Sequence, residues 1–151
     1  SKSHLRICAN GAIDELNSAI GLCRAHCAEA ELRAQLRSIQ SVLVQLMGEL
    51  ATNESHHETY RARAKNPVDE SLVEKLTKAV HDLEASKGGF QGWVYPGESV
   101  EQAFFDHART VCRRAEREVV TLVESGAQVR PVLQQYLNRL SDWLWIAGKI
   151  A

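Results

Sequence analysis

Three short strips of polar side chains carry the chemistry this sequence can offer. At 100° per residue, Arg109, Arg113 and Glu116 fall within a strip about 60° wide on one helical face. The apolar arc of Ala108, Cys112, Ala115, Val119 and Leu122 lies beside that strip, so the guanidinium groups sit at the edge of a core, while Arg114 and Arg117 point further round. Solvated charge ordinarily occupies the far side of an amphipathic helix, and cations at the core boundary are better explained by a cleft or an interface. Bidentate guanidinium groups there suit a carboxylate or a polyphosphate. Contacts at i,i+3 and i,i+4 among Arg113, Glu116 and Arg117, decorating an open surface, are the plainer alternative, and the pattern alone leaves both open. Asn138, Asp142 and Trp145 recur at i, i+4 and i+7 beside the apolar face Leu133, Leu137, Leu140, Leu144 and Ala151, placing an amide, a carboxylate and an indole at a core edge. Asp14, Asn17 and Gly21 do likewise earlier in the chain. A glycine within a helix costs up to ~1 kcal/mol relative to alanine unless close approach of another group compensates. Such strips fit either the inter-helix hydrogen bonds of a structural bundle or one shared ligand site, and the ligand site is the sharper expectation.

Five helices are needed to position these strips. Apolar residues Ile13, Leu16, Ile20, Cys23 and Cys27 predict a first helix over about 12–28, and Leu32, Leu36, Ile39, Leu43, Leu46 and Leu50 predict a second over about 31–53. Residues 54–67 are polar and show no period, so they are expected to form an exposed connection. Leu72, Leu76, Val80 and Leu83 mark a third helix over about 68–86, with Asp69 and Glu70 in its first turn and Lys87-Gly88-Gly89 as its stop. Ser99 followed by Gln102 reads as a capping box opening a fourth helix over about 100–125, closed by Gly126, and a fifth covers about 129–150. The expected fold class is all-α, a five-helix bundle forming one domain over residues 1–151.

Composition agrees and removes other classes. The 151 residues include only 3 Pro and 9 Gly, too little punctuation for the many tight turns of an all-β fold. With Lys+Arg 18 against Asp+Glu 19, the formal net charge of -1 argues against a general nucleic-acid binder or a polybasic membrane binder, so any anionic ligand must meet a local cluster of cations. No apolar run approaches the ~20 residues of a membrane span. Cys8, Cys23, Cys27 and Cys112 form no CxxC pair and have no His at zinc-site spacing, so no metal-ligating residue is expected. Thiols of this kind in a chain without a signal pattern point to the cytoplasm, although an organellar targeting peptide could precede Ser1.

Several stretches taken together resemble a known family. Gly11-Ala-Ile-Asp-Glu-Leu-Asn-Ser-Ala-Ile-Gly21, Ile39-Gln40 with Gly48-Glu-Leu-Ala51, Tyr95-Pro-Gly-Glu-Ser99, Ala108-Arg-Thr-Val-Cys-Arg-Arg-Ala-Glu-Arg117 and Tyr136-Leu-Asn-Arg-Leu-Ser-Asp142 are similar, in order, to the ATP:cob(I)alamin adenosyltransferases of the propanediol-utilisation type. The resemblance implies a five-helix bundle assembling as a homotrimer, with ATP and a reduced corrinoid, cobalamin, meeting between subunits, and a divalent cation, Mg²⁺, accompanying ATP. It implies that Arg113 neutralises the polyphosphate, that Asn138 bonds the nucleotide, that Glu116 orients Arg113 or contacts the nucleoside, and that Lys2 belongs to the ATP site. Arg109 is similar to the family arginine that pairs across the interface with the aspartate of the Asp-Glu-Leu motif, here Asp14. Trp93 aligns with the family aromatic that displaces the corrinoid's lower ligand, and Trp145 with another aromatic late in the last helix. Exposed aromatics such as Trp143 are compatible with a trimer. The product, adenosylcobalamin, would pass to a B12-dependent acceptor enzyme.

Departures from the family pattern set further expectations. The family's Thr-Gly-Asp-x-Gly phosphate loop is expected some twenty residues upstream of this sequence, so the chain is read as starting inside a longer protein. Cys8 stands where the family has Glu, Asn10 where it has an aromatic, and Ala12 where it has Thr. Glu98 replaces the second glycine of the Pro-Gly-Gly turn, Asp106 a histidine, and Lys149 an arginine. A non-catalytic corrinoid or nucleotide carrier, or a purely structural bundle, remains the alternative to an enzyme.

Overall fold

The computed structural model describes residues 1–52, 54–64, 67–86 and 95–151, and among these there is no strand. The helices are α1 (Lys2–His26), α2 (Ala30–Ala51), α3 (His57–Arg63), α4 (Glu70–Ser86), α5 (Val100–Glu124) and α6 (Pro131–Ile150), with one 3₁₀ turn, Glu54–His56. The all-α expectation holds, but the described helices number six rather than five, because part of the expected exposed connection is helical. The stop at 87–89 and Trp93 lie outside the described residues.

α5 stands at the centre, packed against α1 on one side and α6 on the other; α2 closes on α1, and α4 on α6. The expected apolar stripes supply the core: Ile13, Leu16, Ile20, Leu36, Leu43, Leu46, Ala108, Cys112, Ala115, Leu137, Leu140 and Leu144 are fully buried. Ala151 does not join that face; it lies exposed beyond α6. Trp143, expected on the surface, is fully buried, with its ring 6.3 Å from that of Phe105. It falls on the α6 face that carries Tyr136, seven residues earlier, where two turns return it to the core. The four cysteines are free thiols. Burial pushes Cys23 up to about 12 and drives Cys112 higher still, as expected of small apolar fillers.

Helix ends follow local chemistry. α1 begins ten residues before the expected start, because the Ser1 hydroxyl caps it by accepting from the His4 N–H at 3.3 Å, and Leu5 and Ala9 extend the apolar face backwards. Asp69 accepts from the backbone N–H groups of Ser71 and Leu72, and its bond from the Ser71 hydroxyl is the first cause holding its carboxyl below the usual range. The capping box at α5 is rearranged: Ser99 Oγ accepts from Gln102 N at 3.0 Å, while Gln102 Oε1 accepts from Gly97 N at 2.7 Å rather than from the cap residue. Gly126, at φ +92°, ends the turn after α5 as expected. α6 starts two residues later than expected, on Pro131, whose fixed φ suits a first helical position.

Two close approaches explain the remaining packing. α3 docks on α2 through Tyr60, whose hydroxyl donates to Gln45 O at 3.0 Å; a Cβ at Gly48 would lie 2.8 Å from Tyr60 Cζ, so any larger residue there would push the ring from this seat. A Cβ at Gly148 would stand 2.8 Å from Phe105 Cβ, which brings the end of α6 onto α5. Gly21 is different: a Cβ there would meet Gln40 Nε2 at an ordinary 3.5 Å, so the expected tight approach is not what places glycine in α1.

A buried long-range clamp joins Glu49 to Arg130. Glu49, at 2% exposure, accepts from Arg130 Nε at 2.9 Å and from Nη2 at 2.7 Å, and Nη2 also donates to Val68 O at 2.6 Å. This ties the end of α2 to the approach to α4 and the start of α6, and the Glu49 bonds hold the guanidinium above its usual pKa. Arg130→Ala leaves a buried carboxylate without its cation, so urea unfolding is expected to show a loss of about 3 kcal/mol. A loss under about 0.5 kcal/mol, the level of a surface pair, contradicts the clamp.

Candidate functional site

The α5 and α6 strips meet at one carboxylate. Glu116 is 8% exposed at the seam between the two helices, where an unpaired charge is costly. Its Oε1 accepts from Arg113 Nη1 at 2.8 Å, and its Oε2 accepts from Asn138 Nδ2 at 2.8 Å. Three expected site residues from two helices thus form one hydrogen-bonded group, with Arg113 and Asn138 turned outward on the exposed side. The i,i+3 pairing of Arg113 with Glu116 is present, and the buried carboxylate makes it more than surface decoration. The group borders a cleft of about 490 Å³ lined by Glu116, Pro131, Gln134, Gln135, Asn138 and Arg139. Gln134 and Gln135 are additions to the expected set; they lie one turn before Asn138, and extending that strip backwards by i−3 and i−4 finds them.

Further along α6, Asp142 accepts from Arg139 Nη1 at 3.3 Å. Trp145 is 36% exposed, and Lys149 Nζ sits 4.0 Å from its ring centroid. Trp145 walls a cleft of about 320 Å³ with His81, Glu84, Arg139, Asp142 and Ile146. Burial is the first cause that lowers the Lys149 pKa.

A second polar surface lies on α1. Lys2, Ser3, Arg6, Ile7, Asn10, Gly11 and Asp14, with Met47, Gly48 and Ala51 of α2, line an open groove of about 970 Å³. Asp14 is exposed and has no hydrogen-bond or ion-pair partner among the described residues. Arg109 does not reach it within the chain: its Nε donates to Asp106 Oδ1 at 3.1 Å. Asn17, the middle of the α1 strip, keeps a buried Oδ1 without a donor, while its backbone carbonyl accepts from Gln40 Nε2 at 3.5 Å. Cys8, half-buried, turns its Sγ to His4 Nε2 at 3.6 Å and does not line the groove. Arg114, pointing further round as expected, pairs with Glu15 of α1.

Expected site residues therefore lie on two separate surfaces of the chain that have no lining residue in common. One carries cations and a free carboxylate on α1; the other carries a guanidinium and an amide held by Glu116. Such groups can bind a polyanion, bond a nucleoside and stabilise negative charge as it develops. Arg113 and Asn138 share the acceptor Glu116, so a double-mutant cycle of Arg113→Ala and Asn138→Ala, read by urea unfolding, is expected to give a coupling of about 0.5 kcal/mol or more that disappears in a Glu116→Ala background. Strict additivity contradicts the bridge.

The model of the cobalamin adenosyltransferase family matches residues 1–151. A corrinoid adenosyltransferase of Citrobacter freundii is 32% identical over 149 residues, spanning 99% of this chain and 82% of that protein. The fold is similar to that of a PduO-type adenosyltransferase variant from Lactobacillus reuteri complexed with ATP, at TM-score 0.85 and 26% identity, covering 97% of this chain and 80% of that one. It is similar also to a variant of that type from the same organism complexed with cobalamin and ATP, at TM-score 0.82 and 26% identity, covering 95% and 78%. With its whole length matched by the family model, this chain belongs to the cobalamin adenosyltransferase family.

Proposed function

We propose that this chain transfers the 5′-adenosyl group of ATP to a reduced corrinoid, cob(I)alamin, giving adenosylcobalamin and triphosphate. The electron pair on cobalt forms the bond to C5′ as the C5′–O5′ bond breaks, and the triphosphate leaves with that bond's electrons. Charge therefore grows on the leaving group, and the chain's task is to hold cations there before it does. The observation that carries the reading is Glu116, a buried carboxylate that fixes Arg113 and Asn138 beside a cleft. Arg113 neutralises the triphosphate and Asn138 bonds the nucleoside. Lys2 extends the cationic lining from α1.

In this reading the two surfaces become one site when α1 of one subunit faces α5 and α6 of another, in a homotrimer. The exposed Asp14 carboxylate, free of partners in the described chain, is then the natural counterpart of a neighbour's Arg109, which exchanges or shares its contact with Asp106. Trp145, exposed beside the 320 Å³ cleft, packs on the corrinoid. Trp93 is assigned to displacing the corrinoid's lower ligand on the family pattern alone, since it lies outside the described residues.

Among the described residues no group of three or more His, Cys, Asp or Glu side chains could hold a metal ion. The donor set thus fits Mg²⁺ carried on ATP, which needs no more than one or two protein carboxylates, and not a caged ion. Four free thiols support a reducing compartment, the cytoplasm, and the product's use by a B12-dependent acceptor enzyme follows from its chemistry. No helix among the described residues is long and apolar enough to cross a membrane. No observation favours the non-catalytic carrier.

Given ATP, Mg²⁺, cobalamin and a reductant, the protein is expected to form light-sensitive adenosylcobalamin with one triphosphate per turnover. Arg113→Ala should lower kcat by about 10²–10³, the scale of losing one donor to developing charge, while ATP still binds. An Arg113→Ala protein with undiminished turnover overturns the assigned role.

A further inference from the structure

Lys2, Arg6, Asn10 and Asp14 all line the groove between α1 and the end of α2. Each is four residues from the next, so at 1.5 Å per residue the rungs of this ladder stand about 6 Å apart and span about 18 Å. Two cations occupy the first rungs, a carboxamide the third and a carboxylate the last. Arg6 is anchored, with Nη1 donating to Leu50 O at 3.0 Å. Asn10 is not: it is half-buried, its Oδ1 is closed off from solvent without a donor, and its side chain makes no hydrogen bond among the described residues. Leaving a closed-off carbonyl oxygen unbonded is unfavourable, and a turn of the side chain that carries the amide into the groove would relieve it. Asn10 lines that groove and is half-buried, so rotation about its side-chain bonds lets the carboxamide present a donor and an acceptor together to a ligand there.

We propose that Asn10 reads the base of the nucleotide, its carboxamide pairing with the N6 amino group and N7 of adenine while Lys2 and Arg6 take the phosphates. The inference rests on the adenosyltransferase reading above. A carboxamide's coplanar donor and acceptor match that edge of adenine, the pairing by which asparagine reads adenine in nucleic acids. Hypoxanthine presents two acceptors there, which one amide cannot satisfy together. An aromatic residue at this position, the pattern of the resembling family, can stack on a base but cannot sort donors from acceptors, so this chain gains a selectivity determinant at the N-terminal half of α1.

The test is calorimetric titration of the wild-type protein with ATP, inosine triphosphate and 7-deaza-ATP, repeated on Asn10→Ala and on Asn10→Leu, which keeps the side-chain shape. Both variants are checked for native circular dichroism, and either one, folded, suffices. The wild type should bind ATP about tenfold more tightly than either analogue, and the variants should bind all three alike, through loss of ATP affinity alone. A variant that keeps the wild-type ratio of ATP to 7-deaza-ATP, or a wild type that does not distinguish them, overturns the inference, and the adenosyltransferase reading stands so long as the wild type forms adenosylcobalamin. A wild type that binds no nucleotide and forms no adenosylcobalamin overturns the adenosyltransferase reading itself.

Discussion

Glu116 is the charge on which the site depends. A carboxylate at 8% exposure between two packed helices is tolerable only with its lone pairs occupied, and both its oxygens are occupied by groups from the expected strips. The requirement acts on the fold as well as on chemistry. It fixes the rotation of α6 about α5, since Asn138 must face Glu116 while Leu137, one residue earlier, turns its carbonyl to the Cys112 thiol at 3.2 Å. A slip of one residue in either helix would lose both contacts. Arg113 is thereby held in place by Glu116, which itself lines the cleft, before any ligand arrives, and a cation fixed in advance is what the proposed reaction asks for.

A near-neutral chain has no general field with which to gather a triphosphate. It must concentrate cations locally, and it does so twice, on α1 and on α5. These surfaces are held apart in the single chain by the packing that makes the bundle, because α5 lies between α1 and α6 with its apolar arc buried. What the core separates, a second copy can bring together. The exposed carboxylate of Asp14 and the half-buried guanidinium of Arg109 carry opposite charges on α1 and α5, and in the proposed trimer such complementarity would set register between subunits more than it adds affinity.

Much of this was legible from spacing. Helical period places the α1, α2 and α5 stripes, and the α6 stripe except for Ala151, and the angle between Arg113 and Glu116 is enough to anticipate their pairing. Errors arose where one local signal competed with another or where the cause was remote. The early start of α1 is hard to read in the sequence because Gly11 and a run of polar residues obscure the short apolar face at Leu5 and Ala9. α3 carries no buried residue and docks on α2 through Tyr60 at Gly48, a tertiary contact that no period reveals. Trp143 and Trp145 differ by two residues and so by 200° on the helix, enough to send one into the core and leave the other at a cleft. The Glu49–Arg130 clamp joins residues 81 apart, and only the folded chain shows it.

In the proposed trimer, one catalytic site is built from α1 of one subunit and the α5–α6 cluster of another. Mixing tests it most directly. Asp14→Ala chains and Arg113→Ala chains, each inactive alone, are unfolded together in equal amounts, refolded and assayed for adenosylcobalamin. In a ring of head-to-tail contacts about a quarter of the interfaces then pair an intact α1 surface with an intact α5–α6 surface, so about a quarter of wild-type activity should return. Activity that stays at the level of the separate variants, although the mixed chains assemble, would place the whole site within one chain and contradict the account.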